Sequence, residues 1–233
     1  VSEEYAVPKI VDHDARRQEL VEATWRVIVR VGLDETTTRE IAREAGCSSG
    51  SLAYYFKDKD DILVKARELS HGHVRKRFAM TTSRLEGLAA LRAVVHEALP
   101  LDDERLLEAH IELSFWARAL NNQRLHDIHE EEVEHFWSWL ADLVLAARDS
   151  GEIDTEDTDD EIVHQLMVLI DALSAQALLH PARASGRRQI EMVDDVLRAV
   201  ATPAAAAAVL PPRRRTAARR RRTVPSRVAS TGR

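Results

Sequence analysis

From Asp14 to Val31 the residues Leu20, Ala23, Thr24, Val27, Ile28 and Val31 recur every three or four positions, the period of one helix face, and Gly32 supplies a stop. Thr37 opens a second, shorter helix, because Thr37-Thr38-Arg39-Glu40 has the form of a capping box: the hydroxyl accepts from the third helical residue and Glu40 reaches back. This helix buries Ile41, Ala42 and Ala45 and ends at Gly46. Ser48 or Ser49 caps a third helix, which holds Gly50, Ser51, Leu52, Ala53, Tyr54 and Tyr55 and turns at Phe56 to Asp58. Lys59 begins a fourth, with Ile62, Leu63, Ala66 and Leu69 on one face, running toward Phe78.

Breaks at Gly87, Pro100 to Asp103, Asn121-Asn122, Ser150-Gly151, Pro181 and Gly186 divide residues 71–202 into five or six further helices. One of them opens on a second capping box, Thr158-Asp159-Asp160-Glu161. No stretch alternates in the manner of a strand, so the pattern predicts an all-α chain. It divides into an N-terminal arm (1–13), a helical hairpin domain (14–58) and a larger helical domain (59–202) entered by a connecting helix (59–80). An Arg-rich tail (203–233) lacks apolar periodicity and reads as disordered.

Charge changes this picture more than overall composition does. Nine of the 33 basic side chains are arginines of the tail, which has no acid, so residues 1–202 carry 24 basic against 39 acidic groups. Residues 1–70 hold 11 and 14, and residues 71–202 hold 13 and 25. A single cysteine, Cys47, excludes an internal disulfide framework and a cysteine metal cluster. No basic region precedes an apolar leader, and the most apolar stretch, 162–179, is broken by His164, Gln165, Asp171 and Gln176. The expectation is a soluble cytoplasmic protein with no membrane partner.

Two short helices joined by a tight turn, the second bearing small hydroxyl residues and two tyrosines, describe a helix-turn-helix, whose second helix enters the DNA major groove. Arg39 is a side chain able to contact guanine through two hydrogen bonds. The run GLDETTTREIAREAGCSSGSLAYYFKDKDDIL, residues 32–63, resembles the DNA-binding domain of TetR-family transcriptional regulators. The matches are Thr37, Ile41, Ala42, Ala45, Gly46, Ser48, Gly50, Ser51, Leu52, Tyr54, Tyr55, Phe56 and Lys59. Cys47 replaces a usual valine, and Ala53 stands where the family commonly has a phosphate-contacting tyrosine. ELSFWARA (112–119) and IDALSAQALLHP (170–181) are similar to the ligand-binding domain of BetI-type members.

The resemblance implies a homodimer in which a C-terminal pocket controls the spacing of two DNA-reading heads on a palindromic operator. It implies DNA contacts from Thr37, Thr38, Arg39, Ser48, Ser49, Gly50, Ser51, Tyr54, Tyr55 and Lys59. The helix after Glu161 is apolar nearly all round and must be covered on both sides. With the resemblance, Phe136, Leu140, Leu143, Val144, Leu166, Leu173 and Ala177 are the expected dimer interface; burial in the domain core is the alternative. His110, Glu112, Phe115, Trp116, Trp137, Met167 and Asp171 are candidates for a ligand pocket or, equally, for core. Asp171 interrupts an apolar run and needs a partner, either a cationic ligand or Arg118.

His126, His129 and His135 lack zinc-protease spacing and read as a solvated helix face, and no elbow, phosphate loop or carboxylate pair supports catalysis. The sequence therefore predicts a non-enzymatic regulator without cofactor or metal, most readily a repressor released by a small molecule that is cationic or neutral-amphipathic. The alternative is an all-α scaffold protein with a degenerate helix-turn-helix.

Overall fold

The computed structural model describes residues 13–32 and 35–212. The expected N-terminal arm, apart from His13, and the nine arginines of the tail lie outside the described residues. Ten helices make up the described chain: α1 (His13–Val31), α2 (Thr38–Glu44), α3 (Ser49–Tyr55), α4 (Lys59–Thr82), α5 (Gly87–Glu97), α6 (Asp103–Ala119), α7 (Gln123–Asp149), α8 (Asp159–Leu179), α9 (Gly186–Val200) and α10 (Pro203–Val209).

The head folds around Leu20, Val21 and Val27 of α1, Ile41 and Ala42 of α2, Leu52 of α3, and Phe56 and Ile62 at the entry to α4. Ile28, Leu63, Val64 and Ala66 continue this packing onto Ile111, Phe115 and Ala119 of α6 and Leu125 of α7, which joins the head to the body. The body's core is gathered from the far end of α4 and from α5, α7, α8, α9 and α10.

Local chemistry sets the ends of these helices. Both halves of the Thr158 box are made: its hydroxyl accepts from the Glu161 N–H at 3.2 Å, and Glu161 accepts from the Thr158 N–H at 2.8 Å. At α2 only half the expected box forms. The Thr37 hydroxyl accepts from the Glu40 N–H at 3.2 Å, but the Glu40 carboxylate accepts from that hydroxyl, at 3.3 Å, instead of from the Thr37 backbone. Helix α5 is capped from a distance: Glu152, in the loop before α8, accepts from the Leu88 N–H at 2.8 Å. Gly87 makes room for it, because a Cβ there would run into that carboxylate and its φ is +53°. Buried Asp194 of α9 accepts from Arg92 of α5 at 2.7 and 3.0 Å and faces His96 at 3.2 Å.

Two expectations need correction. The chain does not lose order at Pro203: the alanine run forms α10, with Thr202 capping the Ala205 N–H at 3.3 Å and Ala205 and Leu210 buried in the core. Alanine is the strongest helix former, and here one side of its helix has an apolar surface to cover. The expected dimer residues Leu140, Val144, Leu166, Leu173 and Ala177 are buried within the chain itself, 0–4 % exposed, and Phe136 and Leu143 pack half-buried on the same core. The five buried residues form the inward stripes of α7 and α8, and the exposed apolar residues of these helices are Leu145 on α7 and Val168, Ala172 and Leu179 on α8. Helix α8 has the length and apolarity of a membrane span, yet it also exposes His164, Gln165 and Gln176.

Candidate functional site

The head's turn is built by backbone hydrogen bonds. Gly46, at φ +61°, lets the Cys47 N–H reach the Ala42 carbonyl at 2.9 Å and its own N–H reach Arg43 at 3.3 Å, closing α2 in a Schellman motif. Cys47 packs against the head core, as a small apolar side chain should. Ser48 then caps α3, accepting from the Ser51 N–H at 3.0 Å. Leu52 and Phe56 anchor α3 inward, which turns Ser49, Gly50, Ser51, Ala53 and Tyr54 outward. Tyr54 is 74 % exposed, and its ring meets the half-buried Tyr55 edge-on with centroids 5.1 Å apart.

Thr37, Thr38 and Arg39 are exposed at the start of α2. Arg39 has no ion pair or hydrogen bond among the described residues, whereas Arg26 and Arg30 both hold Glu44, at 3.0 and 2.7 Å. Lys59 opens α4; its side chain lies outside the described residues. Of the sequence-predicted contacts, Thr37, Thr38, Arg39, Ser48, Ser49, Gly50, Ser51 and Tyr54 are exposed along α2, α3 and their N-caps, whereas Tyr55 is half-buried against the head core.

In the body, the polar residues converge on Glu112. Arg67 of α4 donates to both carboxylate oxygens at 2.8 Å, and its guanidinium lies 4.4 Å from the centre of the Phe115 ring. Trp116 donates from its indole at 2.9 Å, one helical turn away on α6. His71 lies between two carboxylates, 3.1 Å from Glu112 and 3.0 Å from Glu132. Burial opposes its charge, but these two acceptors outweigh burial and raise the imidazole pKa. Burial would likewise raise Glu112, but His71 and Arg67 hold it well below the carboxylate range. His129 closes the ring of contacts, 3.4 Å from Arg67; burial lowers its pKa, and as the neutral base it can accept.

Arg67 and His71 thus engage Glu112 and Glu132, and Arg75 reaches Glu132 only from solvent, at 3.8 Å. Asp171 on α8 is the exception. Among the described residues it has no hydrogen-bond or ion-pair partner, and burial, with the Glu112 charge in addition, pushes its pKa up to about 6. The expected pairing with Arg118 does not occur, because Arg118 binds Asp60 at the head. Nor is Glu112 a vacant carboxylate.

Of the other pocket candidates, Phe115 is fully buried in the head–body packing. Trp137 donates to Asp160 at 3.0 Å and, like Met167, packs on the main core. His110 is two residues from Glu112 and so points away from the cluster. Arg67, His71 and Glu132 were missed by the sequence reading, and His129, expected on a solvated helix face with His126 and His135, is instead half-buried against Arg67 while the other two are exposed. The one signal for the first two was a charged pair at i, i+4 within an otherwise apolar face.

Two family models match the chain. Residues 20–66 match bacterial regulatory proteins of the tetR family, and residues 88–202 match the C-terminal region of BetI-type transcriptional repressors. The chain is 30 % identical to the HTH-type transcriptional regulator PksA of Bacillus subtilis over 78 % of its own length and 88 % of that protein's. It is 32 % identical to the regulator BetI of Pectobacterium carotovorum over 58 % of its length and 70 % of that chain. A transcriptional regulator from Saccharomonospora viridis, solved in complex with choline, shares the fold with a TM-score of 0.74 at 22 % identity, covering 81 % of this chain and 99 % of the other.

Proposed function

The chain belongs to the tetR family of bacterial transcriptional regulators, and from that premise we propose that it is a repressor that binds a palindromic operator as a homodimer and is released by a small cationic effector. It works in the cytoplasm, on double-stranded DNA. The observation that carries this reading is the course of α4. One uninterrupted helix runs from the foot of the exposed α3 surface to Thr82, and two of its side chains, Arg67 and His71, are hydrogen-bonded to Glu112. A ligand that rearranges the cluster therefore acts on the helix that carries the head.

Asp171 supports the cationic class. Beside Glu112 and Glu132, which Arg67 and His71 engage, it is a carboxylate without a partner among the described residues, and an ammonium group supplies one. The acidic body favours approach of cations over anions. The choline found in the Saccharomonospora regulator is of the same chemical class. For the dimer, Leu145, Val168, Ala172 and Leu179 are exposed apolar residues of α7 and α8 that a second copy would cover.

Thermal shift with panels of amines, fatty acids, acyl-CoA esters and aromatic acids, followed by gel shift on the DNA upstream of the protein's own gene, tests the proposal. Amines should raise the melting temperature and release the DNA. Stabilisation and release by acids or acyl-CoA esters alone would overturn the cationic reading.

A further inference from the structure

The foot of α4 carries Lys57, Asp58, Lys59, Asp60 and Asp61, which together have a formal charge of −1 immediately after the exposed surface of α3. Such a patch repels phosphate. The acids are not left to act, however. Asp58 caps α4, accepting from the Asp61 N–H at 2.8 Å. Asp60 is bound by Arg118 and accepts from Asn122 at 3.2 Å. Asp61 accepts from Arg124 at 2.7 Å, and from the Lys57 N–H at 3.1 Å. The Arg124 hydrogen bond is the main cause that keeps the Asp61 pKa below its ordinary value, so the charge being masked is a full one.

Arg118, Asn122 and Arg124 all belong to the body: they lie at the end of α6, in the turn and at the start of α7. With the two arginines the local formal charge changes sign to +1. Their side chains are 47 % and 57 % exposed, and ion pairs so exposed add little to stability. Their charge acts where it matters more, next to a surface that meets a polyanion.

We propose that Arg118 and Arg124 of the effector domain are positioning residues for DNA binding, masking Asp60 and Asp61 so that the ground beside Lys57 stays attractive to a phosphate. The head's affinity then depends on its contact with the body: whatever draws the α6–α7 turn away uncovers two carboxylates at the DNA surface. The inference rests on the reading of α3 as the DNA-facing helix.

The test uses the full chain and a duplex that the wild-type protein selects from a random-sequence pool. Arg118→Ala with Arg124→Ala should weaken binding about tenfold at low salt, with the deficit shrinking as salt rises. Adding Asp60→Asn and Asp61→Asn to that variant should restore the affinity, since the shape of the acids is kept and their charge removed. Unchanged affinity in the arginine variant, or a loss that the asparagines do not restore, would overturn the proposal. Tyr54→Ala is run alongside and should abolish binding. If it binds normally, the DNA-facing assignment of α3 fails and the masking fails with it; if it loses binding while the arginine variant does not, only the masking is wrong.

Discussion

Arg67 holds Glu112 through two parallel hydrogen bonds of 2.8 Å while itself only 4 % exposed, so a guanidinium is buried between helices with one carboxylate as its main counter-charge. A buried pair of this kind is costly to break from one side, because the surviving charge is stranded. Glu112→Ala should destabilise the protein by about 3 kcal/mol. Arg67→Met combined with Glu112→Leu should recover much of that loss, since apolar side chains of similar volume fill the same space. Urea unfolding followed by circular dichroism reads both. A double variant as unstable as the single one would mean that His71 and Trp116 depend on Glu112 more than the pairing argument allows.

The parts of this site differ in how far the sequence reveals them. The α2–α3 turn is legible because its causes are local: a threonine cap, a glycine at positive φ, a serine cap, and Leu52 spaced to face inward. The Thr158 box is legible for the same reason. The Glu112 cluster is not, because Arg67 and Glu112 are 45 positions apart and Arg67 and His129 are 62 apart, and only the packing of α4, α6 and α7 brings them together. Helix α8 illustrates another failure. A helix apolar all round has no phase in its periodicity, so its inward and outward stripes cannot be told apart until the neighbours are placed.

The outward stripe makes a discriminating pair of substitutions. Leu166 is fully buried, and a carboxylate there has no partner, so Leu166→Asp should unfold the protein or lower its melting temperature sharply. Val168, two residues on, is 52 % exposed, and Val168→Asp should leave the helical signal intact while shifting light-scattering mass from dimer to monomer. A well-folded Val168→Asp dimer would move the interface off this face.

Asp171 gives a pH dependence whose sign is fixed. Its folded pKa, about 6, lies above the ordinary value of 3.8, so the folded state prefers the neutral acid, and stability is lost as pH rises from about 4 through 6. Asp171→Asn should therefore stabilise the ligand-free protein at pH 7–8 by about 1–2 kcal/mol, allowing for partial exposure, with the gain vanishing below pH 4. An amine effector requires the ionised form, so its affinity for the wild type should rise through pH 6, whereas the Asp171→Asn variant should lose both the affinity and its pH dependence. Calorimetric titration at pH 5 and pH 7.5 measures this. Equal affinities at the two values would remove Asp171 from the effector site.

The last prediction concerns what the head reads. The outward face of α3 offers Ser49, Gly50, Ser51, Ala53 and Tyr54, none of which can make the paired hydrogen bonds by which a side chain singles out one base. Arg39 can. It stands exposed at the start of α2 with no partner among the described residues to compete for its guanidinium, unlike Arg26 and Arg30, which Glu44 engages. If it meets the N7 and O6 acceptors of a guanine, Arg39→Ala should cost about 1–3 kcal/mol on the selected operator and relax the preference at one base pair in each half-site, leaving the other positions unchanged. If it meets a phosphate instead, the loss should be nearly uniform across sequences and should flatten the salt dependence by about one unit of slope. Selection from a random duplex pool with wild-type and Arg39→Ala protein separates the two: a preference lost at one position assigns Arg39 to base reading, and an unchanged preference with weaker binding assigns it to the backbone.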